Sequence, residues 1–143
     1  MQTLPAGQYY VGDPCYVIAD EKWSDFLDAW DTQLGRDHDG HRISGIFEFE
    51  GHQVFAGYTA HGDGTFDHFP VDSGTIGVVP ISLVSKRNIS EEGLWDFKQI
   101  EEQGLGEFVT FDEPFEADEA EGTFYIGDME IETDNWFDFD FTD

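Results

Sequence analysis

The chain has 143 residues, of which 32 are acidic and 6 are basic, and its formal net charge at pH 7 is −26. This length suits one domain, residues 1–143, with a sizeable core. The negative charge argues against direct binding to nucleic acid or to an anionic membrane, because both attract basic surfaces. A single cysteine excludes an internal disulfide. The sequence shows neither a charged-then-apolar leader nor a run of about 20 apolar residues, so we expect a soluble cytoplasmic protein.

The negative charge is concentrated in the second part of the chain. Residues 1–89 contain 13 acidic and 5 basic side chains, whereas residues 90–143 contain 19 acidic and 1 basic side chain. Repulsion among so many like charges opposes compaction, and counter-ions or a basic partner would relieve it. The sequence therefore directs attention to the acidic surface of the second part.

Residues 8–18 contain two short apolar runs separated by Gly12, Asp13 and Pro14. Tyr, Val and Ile favour strands, and a Gly-Asp-Pro sequence favours a sharp turn. The pattern predicts a strand, a turn and a second strand. Cys15 follows the turn and is interpreted as a small buried residue, although a base or a positive field beside it would make it a nucleophile.

Residues 19–34 carry the pattern of an amphipathic helix that ends at Gly35. Apolar residues recur at i, i+3, i+4, i+7 and i+11, while aspartates fall on the opposite face. The apolar stripe consists of Trp23, Phe26, Leu27, Trp30 and Leu34. We predict that this helix covers the sheet.

Two polar loops resemble parts of metal sites. Asp37, His38, Asp39 and His41 are of metal-binding types, but their pattern lacks the fixed third ligand of a catalytic zinc site. Residues 61–66 look like half of a calcium loop and lack the remaining oxygen ligands. We therefore predict a solvated loop in the first case, a tight turn in the second, and neither a metal nor another cofactor.

Most of the remaining chain alternates between apolar runs and turn residues, which is typical of antiparallel strands. We predict a hairpin of residues 43–50 and 53–59, and pairing of residues 66–71 with 75–79. The most apolar run, residues 76–79, is expected in the middle of the sheet. A weaker helix pattern runs from Ser90 to Gln103. The later predicted strands are residues 108–111, 115–117, 123–126, 129–133 and 136–141.

These elements predict an α+β fold with a mainly antiparallel sheet of about eight to ten strands, one clear covering helix and a second helix with a weaker pattern. So large a sheet curls or splits, and we expect a strongly curved sheet that is barrel-like or two-layered. Residues 9–13 and 124–128 share an aromatic-Tyr-β-branched-Gly-Asp pattern. We therefore expect one type of turn to be used twice, in adjacent hairpins.

Three stretches between residues 11 and 77 form a recognisable signature. Residues 11–17 read Val-Gly-Asp-Pro-Cys-Tyr-Val, residues 62–66 read Gly-Asp-Gly-Thr-Phe, and residues 71–77 read Val-Asp-Ser-Gly-Thr-Ile-Gly. In these stretches the chain resembles small uncharacterised proteins of phages and bacteria that carry a Gly-Asp-Pro-Cys-Tyr-Val signature. The resemblance implies a phage-type origin and does not imply any particular reaction.

Acidic residues alternate with other residues along the later predicted strands, which places several carboxylates on one face. Alternate residues repeat at about 6.6 Å, and a nucleic-acid duplex carries one charge per about 3.4 Å of each strand. We hypothesise a non-enzymatic, phage-type inhibitor that imitates this charge and blocks a basic host nucleic-acid-binding or defence protein in the host cytoplasm. The predicted partner-binding residues are Glu116, Asp118, Glu130, Glu132, Asp134, Asp138 and Asp140.

Other interpretations of the sequence stay open. Acidity can serve solubility alone, as in proteins adapted to high salt. An enzyme would need a pair of carboxylates, or Cys15 beside a histidine, and no spacing selects such a pair. A calcium- or magnesium-stabilised fold would use the many carboxylates. The histidines available to Cys15 are His38, His41, His52, His61 and His68.

Overall fold

The structure is a computed structural model, and it describes residues 3–18, 20–60, 62–66, 69–84 and 104–133. These residues form the helix α1 (Asp20–Leu34), a 3-10 turn (Pro14–Tyr16), a helical segment at residues 81–84 and 11 strands. The strands are β1 (Thr3–Leu4), β2 (Gly7–Gly12), β3 (Gly45–Phe49), β4 (His52–Tyr58), β5 (Gly64–Phe66), β6 (Phe69–Val71), β7 (Thr75–Pro80), β8 (Gly106–Phe111), β9 (Phe115–Ala120), β10 (Thr123–Ile126) and β11 (Met129–Glu132).

The largest sheet has five strands in the order β3-β4-β7-β2-β8, and all neighbours are antiparallel. The strand β7 is central, which confirms the position predicted for the apolar run 76–79. The hairpin of β3 and β4 is also confirmed. It closes through Glu50 and Gly51, which have φ values of 52° and 82°, and positive φ at both central residues is the requirement of a type I′ turn.

The other described strands form two smaller sheets. A four-stranded antiparallel sheet has the order β1-β9-β10-β11, and β5 pairs with β6. An α+β fold of mainly antiparallel strands is therefore confirmed. The expected barrel-like, strongly curved sheet is not supported, since each described sheet is open. The five-stranded sheet carries buried side chains on both faces, and it packs against α1 on one face and against the four-stranded sheet on the other instead of closing on itself.

Alternation along β2 shows how both faces of the five-stranded sheet are used. Tyr9 and Val11 pack in a cluster with Phe124 of the four-stranded sheet. Tyr10, between them, packs in a second cluster with Trp30 of α1. Because successive side chains of a strand point to opposite faces, β2 contributes to both cores.

The helix α1 confirms the prediction for residues 19–34. Phe26 and Trp30 of its apolar stripe are fully buried. The ring of Phe26 meets those of Phe47 and Phe49 edge-on, with centroids 5.3 Å apart in each case, a favourable arrangement for aromatic pairs. The helix is followed by Gly35, whose φ of 77° suits a glycine C-cap.

Two predicted strand assignments are wrong. Residues 14–16 form a 3-10 turn instead of a second strand, because the Asp13 side chain accepts a hydrogen bond from Cys15 N and Pro14 begins the turn. In the predicted pair of residues 66–71 with 75–79, the described strand β6 does not pair with β7, since β7 already has β4 and β2 as neighbours. Instead β6 turns back onto β5.

The repeated Gly-Asp pattern does not produce one turn used twice. Gly12 and Asp13 lead from β2 into the 3-10 turn, whereas Gly127 and Asp128 connect β10 with β11 in another sheet. The φ angles of the two glycines are 152° and 59°. The same residue types therefore adopt different conformations, because their neighbours in space differ.

The later strands agree with the sequence within a few residues, and the predicted strands 123–126 and 129–133 correspond to β10 and β11. The predicted helix 90–103 and strand 136–141 lie outside the described residues. Among the described helices, none has the length and apolar character needed to cross a membrane.

Candidate functional site

Asp13 links the end of β2 to the turn between β6 and β7. Its side chain is fully buried. Oδ1 accepts hydrogen bonds from Cys15 N at 2.9 Å and Ser73 Oγ at 2.6 Å. Oδ2 accepts from the backbone N–H groups of Asp72 and Ser73, both at 2.7 Å. Hydrogen bonds to a charged acceptor are stronger than neutral ones, so Asp13 is a framework residue that positions residues 72–73.

The Cys15 thiol does not have the surroundings of a nucleophile. Burial raises its pKa far above the usual value, and the neighbouring carboxylates of Asp13 and Asp72 raise it further. The reactive form of cysteine is the thiolate, which basic neighbours stabilise. The charged neighbours of Cys15 are instead acidic, and no described histidine contributes to its pKa shift. The geometry therefore does not support a thiol–imidazole pair at Cys15 within the described residues.

A cleft of about 740 Å³ lies beside the turn that Asp13 holds. It is bordered by the loop after α1, the end of β4, the 73–74 turn and the connection between β9 and β10. Acidic, basic and hydroxyl groups all line it. Its polar side chains are Asp37, His41, Arg42, Ser44, Tyr58, Thr59, Ser73, Glu119 and Glu121.

Hydrogen bonds between the five-stranded and the four-stranded sheet join the walls of this cleft. Ser44 Oγ donates to Glu119 Oε1 at 2.5 Å, and Glu119 Oε2 accepts from Gly122 N at 2.9 Å. Gly57 makes room for Ser44, because a Cβ at position 57 would lie 2.7 Å from Ser44 Oγ. Thr133 Oγ1 donates to the carbonyl of Gly122 and accepts from Ala60 N. These polar groups therefore have a structural role, because their hydrogen bonds hold the two sheets together.

Arg42 is the basic side chain of the cleft, and its charge is neutralised within the protein. Its Nη1 donates to Tyr58 Oη at 2.7 Å and its Nη2 donates to Asp31 Oδ2 at 3.2 Å. Its Nε lies 2.8 Å from Asp31 Oδ1, an ion-pair contact without hydrogen-bond geometry. Arg36 also donates to Asp31, and its hydrogen bonds lower the pKa of that carboxyl. The cleft thus offers no unpaired cation at Arg42 for an anionic ligand.

The loop after α1 brings three potential metal-binding side chains together. Ligand atoms of Asp37, Asp39 and His41 lie within 4.8 Å of one another, and all three residues are exposed. Asp37 Oδ1 accepts from the backbone N–H groups of Asp39 and His41. The hydrogen bond from His41 lowers the pKa of Asp37. Asp37 therefore shapes the loop, and His38 is not a member of the group.

The structure brings four of the predicted partner-binding residues onto one side of the four-stranded sheet. Glu116 and Asp118 belong to β9, Glu130 and Glu132 belong to β11, and β10 runs between these strands. Within each pair the residues are two positions apart, so they share a face. Glu116, Glu130 and Glu132 are exposed, and Asp118 is half-buried. We call these four residues the acidic face. Asp134, Asp138 and Asp140 lie outside the described residues.

Tyr125 occupies the middle of the acidic face. In the register of the sheet it is directly opposite Asp118 on one side and Glu130 on the other. Its exposed fraction is 44%, and among the described large hydrophobic residues only Ile43 is exposed to the same degree. Tyr125 was not among the predicted partner-binding residues, because alternation within the acidic strands does not show which strand lies between them.

The described basic side chains lie elsewhere. Lys22 pairs with Glu50, while Arg36 and Arg42 pair with Asp31. Within the described ranges, no ion pair joins a base to Glu116, Asp118 or Glu130. None of the described bases therefore pairs with these three carboxylates.

The acidic face borders a groove of about 570 Å³. Glu116 belongs to both, and Asp112, Glu113 and Asp128 add further carboxylates around the groove. The rings of Phe111 and Phe115, which also line it, are stacked with centroids 3.6 Å apart. The acidic surface thus continues from the sheet into a concavity with aromatic side chains.

Comparisons with protein-family models, curated proteins and solved structures give no match to this chain. The functional proposal therefore depends on the geometry and chemistry of the surfaces described above.

Proposed function

We propose that this protein is a non-enzymatic acidic binding protein whose acidic face engages a basic protein. The observation that carries the proposal is the convergence of Glu116, Asp118, Glu130 and Glu132 on one side of a single sheet. In its specific form, the protein is a phage-type inhibitor that imitates nucleic-acid charge and blocks a basic host nucleic-acid-binding or defence protein.

The spacing of the carboxylates supports imitation of a charged polymer. Neighbouring strands lie about 4.8 Å apart, so β9 and β11 are separated by about 9.6 Å across β10. Along each strand the acidic residues repeat at about 6.6 Å. A duplex carries one charge per about 3.4 Å along each strand, and two acidic strands approach this density better than one.

The electrostatics of the whole chain also favour a basic partner. The net charge of −26 produces a far-reaching negative field, and the described bases are ion-paired away from the acidic face. Such a field accelerates encounter with a positive surface and weakens as salt screens it. A basic partner would also relieve the repulsion among the acidic strands.

Salt adaptation is the main alternative, because acidity can maintain solubility at high salt without a partner. The arrangement around Tyr125 favours binding, since solubility alone does not require an exposed aromatic ring between two carboxylates. The acidic surroundings of Cys15 also give no support to a cysteine-based enzyme.

Two charge variants test the proposal. The face variant carries Glu116→Gln, Asp118→Asn, Glu130→Gln and Glu132→Gln. The helix-side variant carries Glu21→Gln, Asp25→Asn, Asp28→Asn and Glu48→Gln, all at exposed positions on α1 and β3. Both variants lose four negative charges, so they differ in the location of the loss and not in its size.

The wild type and both variants are immobilised and used to capture proteins from a bacterial lysate at low and high salt. We expect the wild type and the helix-side variant to retain a nucleic-acid-binding protein at low salt and to release it when duplex DNA is added. The face variant should not retain it. An empty capture by the wild type, or equal capture by the face variant, would contradict the proposal.

A further inference from the structure

The row formed by Asp118, Tyr125 and Glu130 has the chemistry to distinguish between basic side chains. The three residues lie side by side on β9, β10 and β11. Side chains directly opposite one another on neighbouring strands have Cβ atoms about 4.5–5.5 Å apart. An exposed aromatic ring is therefore flanked by a carboxylate on each side.

Arginine and lysine would use this row differently. A guanidinium group is planar and weakly hydrated, so it can stack on the face of Tyr125 while its N–H groups point sideways. The flanking carboxylates of Asp118 and Glu130 can accept those N–H groups, and pairing of guanidinium with carboxylate has favourable geometry. An ammonium group is a compact, strongly hydrated point charge, and it gains mainly from the negative field.

We propose that the acidic face is an interaction surface selective for arginine over lysine, and that Tyr125 is the residue that makes the distinction. The occupant is an arginine-bearing segment of a basic protein. Charge complementarity favours this occupant over a second copy of the chain, because two copies that each carry a formal net charge of −26 repel one another. This inference rests on the proposed function and specifies the chemistry of the partner.

Two peptides provide the probe. They share a Gly-Ser backbone with four evenly spaced basic residues, all arginine in one peptide and all lysine in the other. Binding of each fluorescently labelled peptide to the full chain is measured by anisotropy at low and at physiological ionic strength. The proteins compared are the wild type, Tyr125→Leu, Tyr125→Phe, the face variant and the helix-side variant. Circular dichroism verifies that each variant is folded, and Tyr125 is exposed enough for replacement to leave the cores intact.

We expect the wild type to bind the arginine peptide about two- to fivefold more tightly than the lysine peptide, the ratio that corresponds to one exposed cation–π contact. Tyr125→Leu should abolish this ratio with little change in affinity for the lysine peptide. Tyr125→Phe keeps the ring and should retain the preference, which separates stacking from any effect of the hydroxyl. The helix-side variant should retain the preference as well.

The possible failures separate the two proposals. Equal binding of the two peptides by the wild type, or an arginine preference that survives in Tyr125→Leu, would overturn the selectivity and leave the proposed acidic binding intact. Binding of both peptides by the face variant as tightly as by the wild type would overturn the role of the acidic face itself.

Discussion

Replacing Asp13 by asparagine tests whether the buried carboxylate holds the first half of the fold together. Asparagine has nearly the same shape as aspartate but carries one acceptor oxygen and one NH₂ group. The donors around Asp13 are three backbone N–H groups, from Cys15, Asp72 and Ser73, and the Ser73 hydroxyl. No orientation of the amide can accept from all three N–H groups.

The best orientation gives the size of the effect. If the amide oxygen accepts from Asp72 N and Ser73 N, the NH₂ group can donate to Ser73 Oγ but faces the N–H of Cys15. The N–H of Cys15 is then buried without an acceptor, which costs about 1–3 kcal/mol of stability. The remaining hydrogen bonds are also weaker, because their acceptor is no longer a charged carboxylate. We expect Asp13→Asn to lower the free energy of unfolding by about 2–4 kcal/mol, out of the roughly 5–15 kcal/mol typical of a folded protein.

Asp72→Asn is the matched control, because it also removes one negative charge in the turn that Asp13 holds but keeps the backbone N–H that Asp13 binds. Asp72 Oδ2 accepts a 2.8 Å hydrogen bond from Tyr16 Oη at an exposed position, and an asparagine oxygen can accept the same bond. Asp72→Asn should therefore lower the free energy of unfolding by less than about 1 kcal/mol. Asp13→Ala, which removes all the acceptors, should cost more than Asp13→Asn.

Urea titrations followed by tryptophan fluorescence and circular dichroism measure these differences. We expect the order Asp13→Ala, Asp13→Asn, Asp72→Asn from most to least destabilised. An Asp13→Asn midpoint equal to that of Asp72→Asn would refute the assignment of Asp13 as the residue that fixes residues 72–73.

We expect Gly77→Ala in the central strand β7 to lower the free energy of unfolding by about 1–3 kcal/mol. The new Cβ would lie 2.7 Å from Phe55 O and 2.9 Å from Pro14 Cγ. An unchanged melting temperature would contradict this packing. Cys15 should react with iodoacetamide at pH 8 more slowly than a free cysteine peptide, since its raised pKa lowers the thiolate fraction. The rate of this reaction should rise as the pH increases above 9. Rapid stoichiometric labelling at neutral pH would revive a thiol-based activity. The native circular dichroism spectrum should persist in dilute buffer, whereas a protein adapted to high salt should unfold there.

The acidic face could be predicted only in part from the sequence. Alternation within residues 115–120 and 129–132 indicates which side chains of each strand share a face. It does not indicate that β10 lies between these strands, and so it does not bring Tyr125 into the middle of the surface. That placement depends on the register of the sheet.

Elements with a local sequence pattern could be predicted without the structure. Period-3.6 spacing located α1, alternation of apolar and acidic residues located the β3–β4 hairpin, and a continuous apolar run identified the central strand β7. Each of these features depends on residues close together in the chain.

The conformations of the Gly-Asp motifs and the order of the strands depend instead on contacts between residues far apart in the chain. Asp13 binds backbone groups 59 and 60 residues away, and these contacts accompany a 3-10 turn where local propensity favoured a strand. The similar Gly127-Asp128 sequence forms an ordinary connection between β10 and β11 because it has no comparable set of donors around it in the described structure. Propensity offers several conformations to such residues, and long-range hydrogen bonds and burial select one of them.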